Sequence, residues 1–157
     1  MTPPPFQRFL DEQREPVWRF LVASVGREHA DDCFQETFLA ALRAYPKLRD
    51  AGNLRGWALT IAHRKALDHH RARARRPLPV EEVPESPVAP VDPLGAELTW
   101  ERVRALPPRQ RAVLTLRFAG DLTHAQIAAA LGCSEDASRQ AQRDGLKTLR
   151  RTMEDDR

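Results

Sequence analysis

A proline-rich acidic segment divides this chain and limits what the chain can fold into. Six of the thirteen prolines fall between residues 77 and 93, and no Lys or Arg occurs from residue 77 to residue 98. Proline removes a backbone donor and biases its neighbours toward extended conformations, so we expect a Pro-rich acidic linker over 77–93. The sequence therefore predicts two modules, called here the first module (1–76) and the second module (94–157).

Both modules are basic, although the whole chain has a net charge of only +3. Residues 1–76 carry a net charge of +5, residues 77–98 carry −5 and residues 99–157 carry +3. In the first module the basic side chains concentrate in residues 64–76, where Asp68 is the only acid. A solvated helix face normally mixes both signs, so this run favours contacts with nucleic-acid phosphates; a plain basic surface is the alternative.

Apolar spacing predicts helices throughout the first module. One helix starts near Phe6, kinks or restarts at Pro16 and stops at Gly26, and a second runs from about Ala30 to Ala44. Asn53 is a good N-cap for a third helix, which continues into the basic run. The predicted apolar side of the second helix comprises Phe34, Phe38, Ala41, Leu42 and Tyr45.

The second module contains the signature of a helix-turn-helix. Pro107-Pro108 separates a helix that ends near Leu106 from one over Arg109–Ala119, and 123–126 (THAQ) matches the capping box. A short helix, a glycine turn at 132 and a last helix from Ser134 to about Glu154 then follow, an order typical of helix-turn-helix motifs. A structural three-helix module without DNA contacts is the alternative. The predicted fold class is all-α.

Several other classes of protein are not favoured. No run of about 18 apolar residues occurs, and the start of the chain has neither a basic patch nor an apolar stretch, so we expect neither a membrane segment nor a secretory signal. Cys33 and Cys133 indicate no disulfide framework, and we expect a cytoplasmic protein. His29 and Cys33 are a conceivable pair of metal ligands without a second pair, and no catalytic motif is present, so we expect no metal, no cofactor and no enzymatic activity.

The chain resembles a known family in both modules. Residues 32–38 (DCFQETF), 55–62 (RGWALTIA) and 67–71 (LDHHR) resemble the second conserved region of bacterial RNA polymerase sigma factors of the small extracytoplasmic-function group. Residues 106–114 (LPPRQRAVL) and 127–134 (IAAALGCS) resemble the fourth region. The resemblance covers nearly the whole chain in the right order. It implies a transcription initiation factor whose partners are core RNA polymerase, promoter DNA and an anti-sigma factor.

The resemblance assigns polymerase binding to one side of the second helix, at Asp32, Gln35, Glu36 and Phe38. Acidic side chains on a helix of a basic module would complement a basic partner surface. A solvated helix face is the alternative reading of the same residues.

The resemblance assigns recognition and melting of the minus-ten promoter element to the first module. Asn53 can bond a base edge and Trp57 can stack on a base, although Trp57 also falls on the apolar face and core packing is its alternative role. The implied phosphate contacts are Arg64, Lys65, Arg71, Arg73, Arg75 and Arg76. The family's common Asn after Ile-Ala-Arg is absent, because this chain has His63-Arg64. The sequence preference at this element therefore does not transfer.

The implied contacts with the minus-thirty-five element are Ser134, Arg139, Gln140, Arg143 and Lys147, since Arg and Gln can bond guanine and adenine edges. The last helix departs from the family pattern, with Ala137-Ser138 for the usual Thr-Val pair, Gln142 at an apolar position and Asp144 for an arginine. Gly145 in mid-helix costs about 1 kcal/mol relative to Ala. A loosely packed module, unusual DNA and a protein partner are the three interpretations.

The sequence thus predicts an all-α sigma factor without an active site of its own. One alternative is a degenerate sigma-like regulator that binds polymerase or a protein partner without reading a promoter. The other is a simple helix-turn-helix DNA-binding regulator, against which the segment 32–38 argues.

Overall fold

The structure is a computed structural model that describes residues 2–75 and 94–155, with side chains described from residue 99 in the second range. The first module contains α1 (Phe6–Val25), α2 (Arg27–Ala44) and α3 (Leu54–Arg75), with a 3-10 turn over Tyr45–Lys47 after α2. The predicted linker over 77–93 and the phosphate contact at Arg76 lie outside the described residues. Within these ranges every regular element is helical, which confirms the all-α prediction.

Helix α1 runs without interruption through Pro16, so the predicted restart there is wrong. A proline inside a helix removes one backbone hydrogen bond. Phe9, Val17 and Phe20, all 0 % exposed, hold the two halves in one core and outweigh that loss. Gly26, at a φ of +82°, turns the chain directly from α1 into α2, which is why α2 begins at Arg27 and not near Ala30.

Aromatic rings form the centre of the first module. The ring of Phe9 lies 5.2 Å from that of Tyr45, 5.4 Å from that of Trp57 and 6.1 Å from that of Phe38. Leu59 of α3 is also fully buried. Each such side chain stabilises the fold by about 1.5–3 kcal/mol relative to an exposed one, so this cluster fixes how the three helices cross.

The second module contains α4 (Leu94–Arg104), α5 (Pro108–Leu114), a π-helical stretch over Thr115–Ala119, α6 (His124–Leu131) and α7 (Glu135–Asp155). The predicted helix over Arg109–Ala119 is confirmed as one continuous helical stretch whose last five residues are π-helical, since the backbone N–H of Gly120 bonds the carbonyl of Thr115, five residues back. The capping box at Thr123 and Gln126, the left-handed Gly132 and the Ser134 cap are confirmed. They define a helix-turn-helix of α6 and α7.

The two modules pack against each other. Helix α1 contacts α4 and the π-helical stretch, and α6 contacts α3. One continuous apolar core joins them, with Phe20 and Leu59 from the first module and Val113, Leu116 and Ile127 from the second. The sequence predicted two modules but not that they pack together, an arrangement called here the closed state. None of the described helices is both long and apolar enough to cross a membrane.

Candidate protein and nucleic-acid interfaces

Helix α2 presents an exposed stripe with mixed acidic and apolar character, called here the α2 stripe. Its members recur at helical spacing and comprise Asp32, Gln35, Glu36, Leu39 and Leu42. Leu39 and Leu42 are each 51 % exposed. The opposite side of the helix is buried in the core and comprises Ala30, Cys33, Thr37, Phe38 and Ala41.

The structure separates Phe38 from the other residues that the sequence assigned to polymerase binding. Phe38 is 8 % exposed, with its ring 4.8 Å from that of Phe34, so it supports the α2 stripe from inside. The placement of Leu42 on the apolar side is wrong, because this side chain points away from the core. Sequence reasoning did not single out Leu39. The signal was its spacing, because Leu39 stands seven residues after Asp32, four after Gln35 and three after Glu36.

Cys33 lies on the buried side of α2, beneath the α2 stripe, and its thiol is unreactive. Burial, with smaller contributions from Glu36 and Asp32, raises the pKa of its thiol to about 11. The thiolate is the reactive form of cysteine, so this residue packs as a small apolar group. Thr37, also buried, donates its hydroxyl proton to the carbonyl of Cys33 at 2.7 Å. The buried side of α2 therefore has a structural role, and the side chains available to a partner are those of the α2 stripe.

The N-terminus of α3 is held by Asn53, as predicted. Asn53 Oδ1 accepts the backbone N–H of Gly56 at 3.0 Å. A Cβ on Gly56 would lie 2.2 Å from Asn53 Nδ2, so the cap occupies the space that this glycine leaves. The amide of Asn53 is exposed at the helix end.

Trp57 packs against the core, which is one of the two roles that the sequence left open, and base contact stays a prediction. Its indole packs on Phe9 and lies 6.1 Å from the ring of Tyr45. Its remaining surface lines a cleft of about 410 Å³ between α3 and α6. The α3 wall also includes Asn53, Thr60 and Arg64, and the α6 wall includes Ala125, Gln126 and Ala129. The candidate base-contacting residues thus face the second module.

The basic run of α3 is largely exposed. Arg64, Arg71, Arg73 and Arg75 are exposed, and Lys65 is half-buried. Arg73 donates to His29 Nε2 at 3.0 Å, and Arg75 Nε donates to the carbonyl of Arg71 at 3.3 Å. Arginines at the end of a helix also interact favourably with its dipole. Arg73 is thus held against α2 and Arg75 against its own helix.

Helix α7 carries all five residues assigned to the minus-thirty-five side on or beside its exposed face. Arg139 forms ion pairs with Glu135 at 3.1 Å and Asp136 at 3.2 Å. Gln140 bonds Asp144 at 2.9 Å, and Arg143 bonds Gln140 at 2.7 Å. Exposed pairs of this kind contribute only about 0–1 kcal/mol, so they can be exchanged for contacts with DNA. The remaining two residues are the cap Ser134 and the exposed Lys147.

Two of the residues of α7 that depart from the family pattern are in close contact with neighbouring helices. Ser138 is 0 % exposed, and its hydroxyl lies 2.7 Å from Nδ1 of His124 on α6. Gly145 is buried, and a Cβ there would lie 2.8 Å from Leu114 Cδ1 on α5. The small and polar residues thus allow α7 to approach its neighbours closely.

Comparisons with known proteins identify both modules. A family model described as Sigma-70 region 2 matches residues 10–76, and one described as Sigma-70, region 4 matches residues 103–151. The ECF RNA polymerase sigma factor BldN of Streptomyces coelicolor is 33 % identical over 96 % of this chain. ShbA of Streptomyces griseus is 34 % identical over 82 % of it, and SigD of Mycobacterium tuberculosis 34 % over 90 %. The chain spans 61 % of the length of BldN, 74 % of ShbA and 73 % of SigD.

Two solved structures share the fold. The sigma factor RpoE, in complex with the anti-sigma factor NepR from Bartonella quintana, has a TM-score of 0.76 at 18 % identity and covers 97 % of this chain and 98 % of its own. CnrH, in complex with the cytosolic domain of CnrY, has a TM-score of 0.70 at 21 % identity and covers 97 % and 89 %. The chain therefore belongs to the extracytoplasmic-function group of the sigma-70 family, which consists of transcription initiation factors and not of enzymes.

Proposed function

We propose that this chain binds core RNA polymerase through the α2 stripe and directs the enzyme to one class of promoters. The observation that carries the proposal is the stripe itself, because two half-exposed leucines stand in line with Asp32 and Glu36 on one helix. Apolar groups surrounded by charge are typical of a surface that a partner covers, and the two acids select a basic partner.

The polymerase contact is tested with two double variants. Gln35→Ala with Glu36→Ala removes the polar contacts, and Leu39→Ala with Leu42→Ala removes the apolar ones. We expect each to weaken binding to core polymerase about tenfold or more, which corresponds to about 1.4 kcal/mol. Glu154→Ala, an acid near the end of α7, is the matched control. Unchanged affinity in both double variants, with helicity retained by circular dichroism, would contradict this use of α2.

For the minus-ten element we propose that the exposed amide of Asn53 and the free surface of Trp57 contact a base, while the basic run of α3 holds phosphates. The support is their position on one helix, with the arginines following the aromatic residue along it. Replacing Arg64, Lys65 and Arg71 by Ala should flatten the dependence of promoter affinity on salt. The slope of log affinity against log salt concentration should fall by about 0.7–0.9 for each phosphate contact that is lost. An unchanged salt slope would reject the phosphate role.

For the minus-thirty-five element we propose that Arg139, Gln140, Arg143 and Lys147 read DNA from the exposed face of α7. A bidentate contact between arginine and guanine discriminates by about 1–3 kcal/mol, so Arg143→Ala should relax the base preference at one position. Arg151→Ala, one exposed arginine two turns further along α7, is the control and should lower affinity without changing the preference. Equal effects of both variants at every base would contradict direct reading by Arg143.

Transcription itself provides the test of the whole proposal. We place the protein in the cytoplasm with the polymerase. We also expect an anti-sigma factor as its regulator, because the structurally similar sigma factor RpoE was solved in complex with one. Run-off transcription with core polymerase should yield a new transcript from a promoter library only when this protein is added. Absence of any such transcript would overturn the proposed function.

A further inference from the structure

Two histidines of α3 lie in the seam where the modules meet. His63 and His70 line a small cavity together with Ser24 of α1 and Arg111 of α5. Among the residues that the structure describes, none that lines this cavity is acidic. Both imidazoles therefore lie between the modules and next to a guanidinium, a surrounding that accepts a neutral ring and disfavours a charged one.

The hydrogen bonds at the seam are made to backbone carbonyls at the end of α1, and those from Arg104 join the two modules. His70 Nε2 donates to the carbonyl of Ser24 at 2.9 Å. Arg104 donates to the carbonyls of Val22 and Ala23 at 3.4 and 3.1 Å, at the end of α1. These bonds link α3 to α1 within the first module and α4 to α1 across the modules, close to the two histidines.

The electrostatic surroundings act in the same direction on both imidazoles. Burial, and then Arg111 of α5, lowers the pKa of His63 to about 4 and that of His70 to about 4. Further positive groups face them from α3 itself, Arg64 and Arg71 toward His63 and His69 toward His70, and Arg104 of α4 faces His70. Only the bond to the carbonyl of Ser24, on α1, acts in the opposite direction on His70.

We propose that the closed arrangement is an acid-sensitive state, in which protonation of His63 and His70 beside Arg111 separates the two modules. Separation would remove α6 from the cleft at Asn53 and Trp57, so the closed state is also autoinhibitory toward DNA. That consequence rests on the proposed function, whereas the opening itself does not.

The direction and size of the effect follow from proton linkage. A histidine whose pKa is about 4 in the closed state and about 6.5 in water stabilises the closed state fully above about pH 7.5 and loses that contribution as the pH falls. Between pH 7.5 and pH 6 a histidine that reaches the pKa of free imidazole on opening lowers the closed-to-open ratio about fourfold, and both together lower it at most about 15-fold, because His70 keeps its bond to Ser24 within the first module.

Small-angle X-ray scattering of the full chain tests the proposal. We expect the radius of gyration of the wild type to rise between pH 7.5 and pH 6, while helicity by circular dichroism stays constant. The double variant His63→Gln, His70→Gln keeps polar side chains that do not titrate and should show no rise. His29→Gln is the matched control, because His29 lies in the first module beside Arg73, outside the cavity, and should open like the wild type.

A second variant keeps the test decisive if the double variant does not fold. Arg111→Gln removes the positive charge that faces both imidazoles, so the closed state should accept the protons at a higher pH and the further rise in radius between about pH 6 and pH 4 should be smaller than in the wild type. A constant radius in the wild type, an equal rise in the double variant, or a loss of helicity in step with the rise would each overturn the proposal. Fluorescence anisotropy with promoter DNA is measured separately, so opening without improved DNA binding contradicts the autoinhibitory role alone.

Discussion

Gly145 lies where α7 crosses α5, in a space that leaves no room for a side chain. Its Cβ would lie 2.8 Å from Cδ1 of Leu114 and 3.3 Å from Cγ of the same residue. Leu114 is 1 % exposed, so the whole side chain is confined. An alanine in mid-helix normally gains about 1 kcal/mol over glycine, whereas overpacking a core costs about 1–3 kcal/mol.

Gly145→Ala should therefore lower the free energy of unfolding by about 1 kcal/mol, measured by denaturant titration. Leu114→Val shortens the side chain that the new methyl group would meet, and it is the second mutation of a double-mutant cycle. In that background the cost of Gly145→Ala should largely disappear. An equal stabilisation by alanine in both backgrounds would show that this glycine has no packing role.

Ser138 and His124 form a buried polar link between the two helices of the helix-turn-helix. Ser138→Ala removes the partner at 2.7 Å from a half-buried imidazole, and a hydrogen bond of this kind contributes about 0.5–1.5 kcal/mol net. We expect a lower melting temperature for Ser138→Ala, whereas Thr148→Ala, on the half-buried side of the same helix, should change it less. Equal melting temperatures of Ser138→Ala and the wild type would show that the link does not stabilise the module.

Among the helices, those parts that depend on local chemistry could be predicted from the sequence. Asn53 and the capping box at Thr123 and Gln126 satisfy backbone donors within three residues, so their sequence pattern is sufficient. The outward position of Leu42 and the change to π-helical bonding after Leu114 could not be predicted, because neighbouring helices decide them. The closed seam depends on residues far apart in sequence, and no local pattern encodes it.

Asn53 at the start of α3 caps the helix and is a candidate base contact, and mutations can separate these two roles. Asn53→Ala removes the cap and should lower the free energy of unfolding by about 1 kcal/mol. Asn53→Asp keeps a capping oxygen and should retain stability, yet it loses the amide donor and adds a negative charge near DNA. Thermal unfolding and promoter affinity, measured on both variants, should therefore dissociate. Wild-type promoter affinity in Asn53→Asp would remove Asn53 from the DNA interface.

At the scale of the whole molecule, two basic modules are held closed although their charges repel. The apolar core shared by Leu59, Val113 and Leu116 supplies attraction that does not depend on charge. Arg104 adds an attraction of a different kind, because its guanidinium meets carbonyl oxygens at the negative end of the α1 dipole. The arrangement is consequently sensitive to single changes at the seam.

Arg104→Met should open the modules at neutral pH, since it keeps an unbranched apolar side chain and removes the donors. Hydrogen bonds from a charged group contribute about 1.5–3 kcal/mol, which is enough to shift the closed-to-open ratio at least about tenfold. We expect a larger radius of gyration at pH 7.5, with helicity unchanged. Arg109→Met, at an exposed position of α5, is the control and should leave the radius unchanged. If Arg104→Met has the radius of the wild type, the apolar core alone holds the modules together.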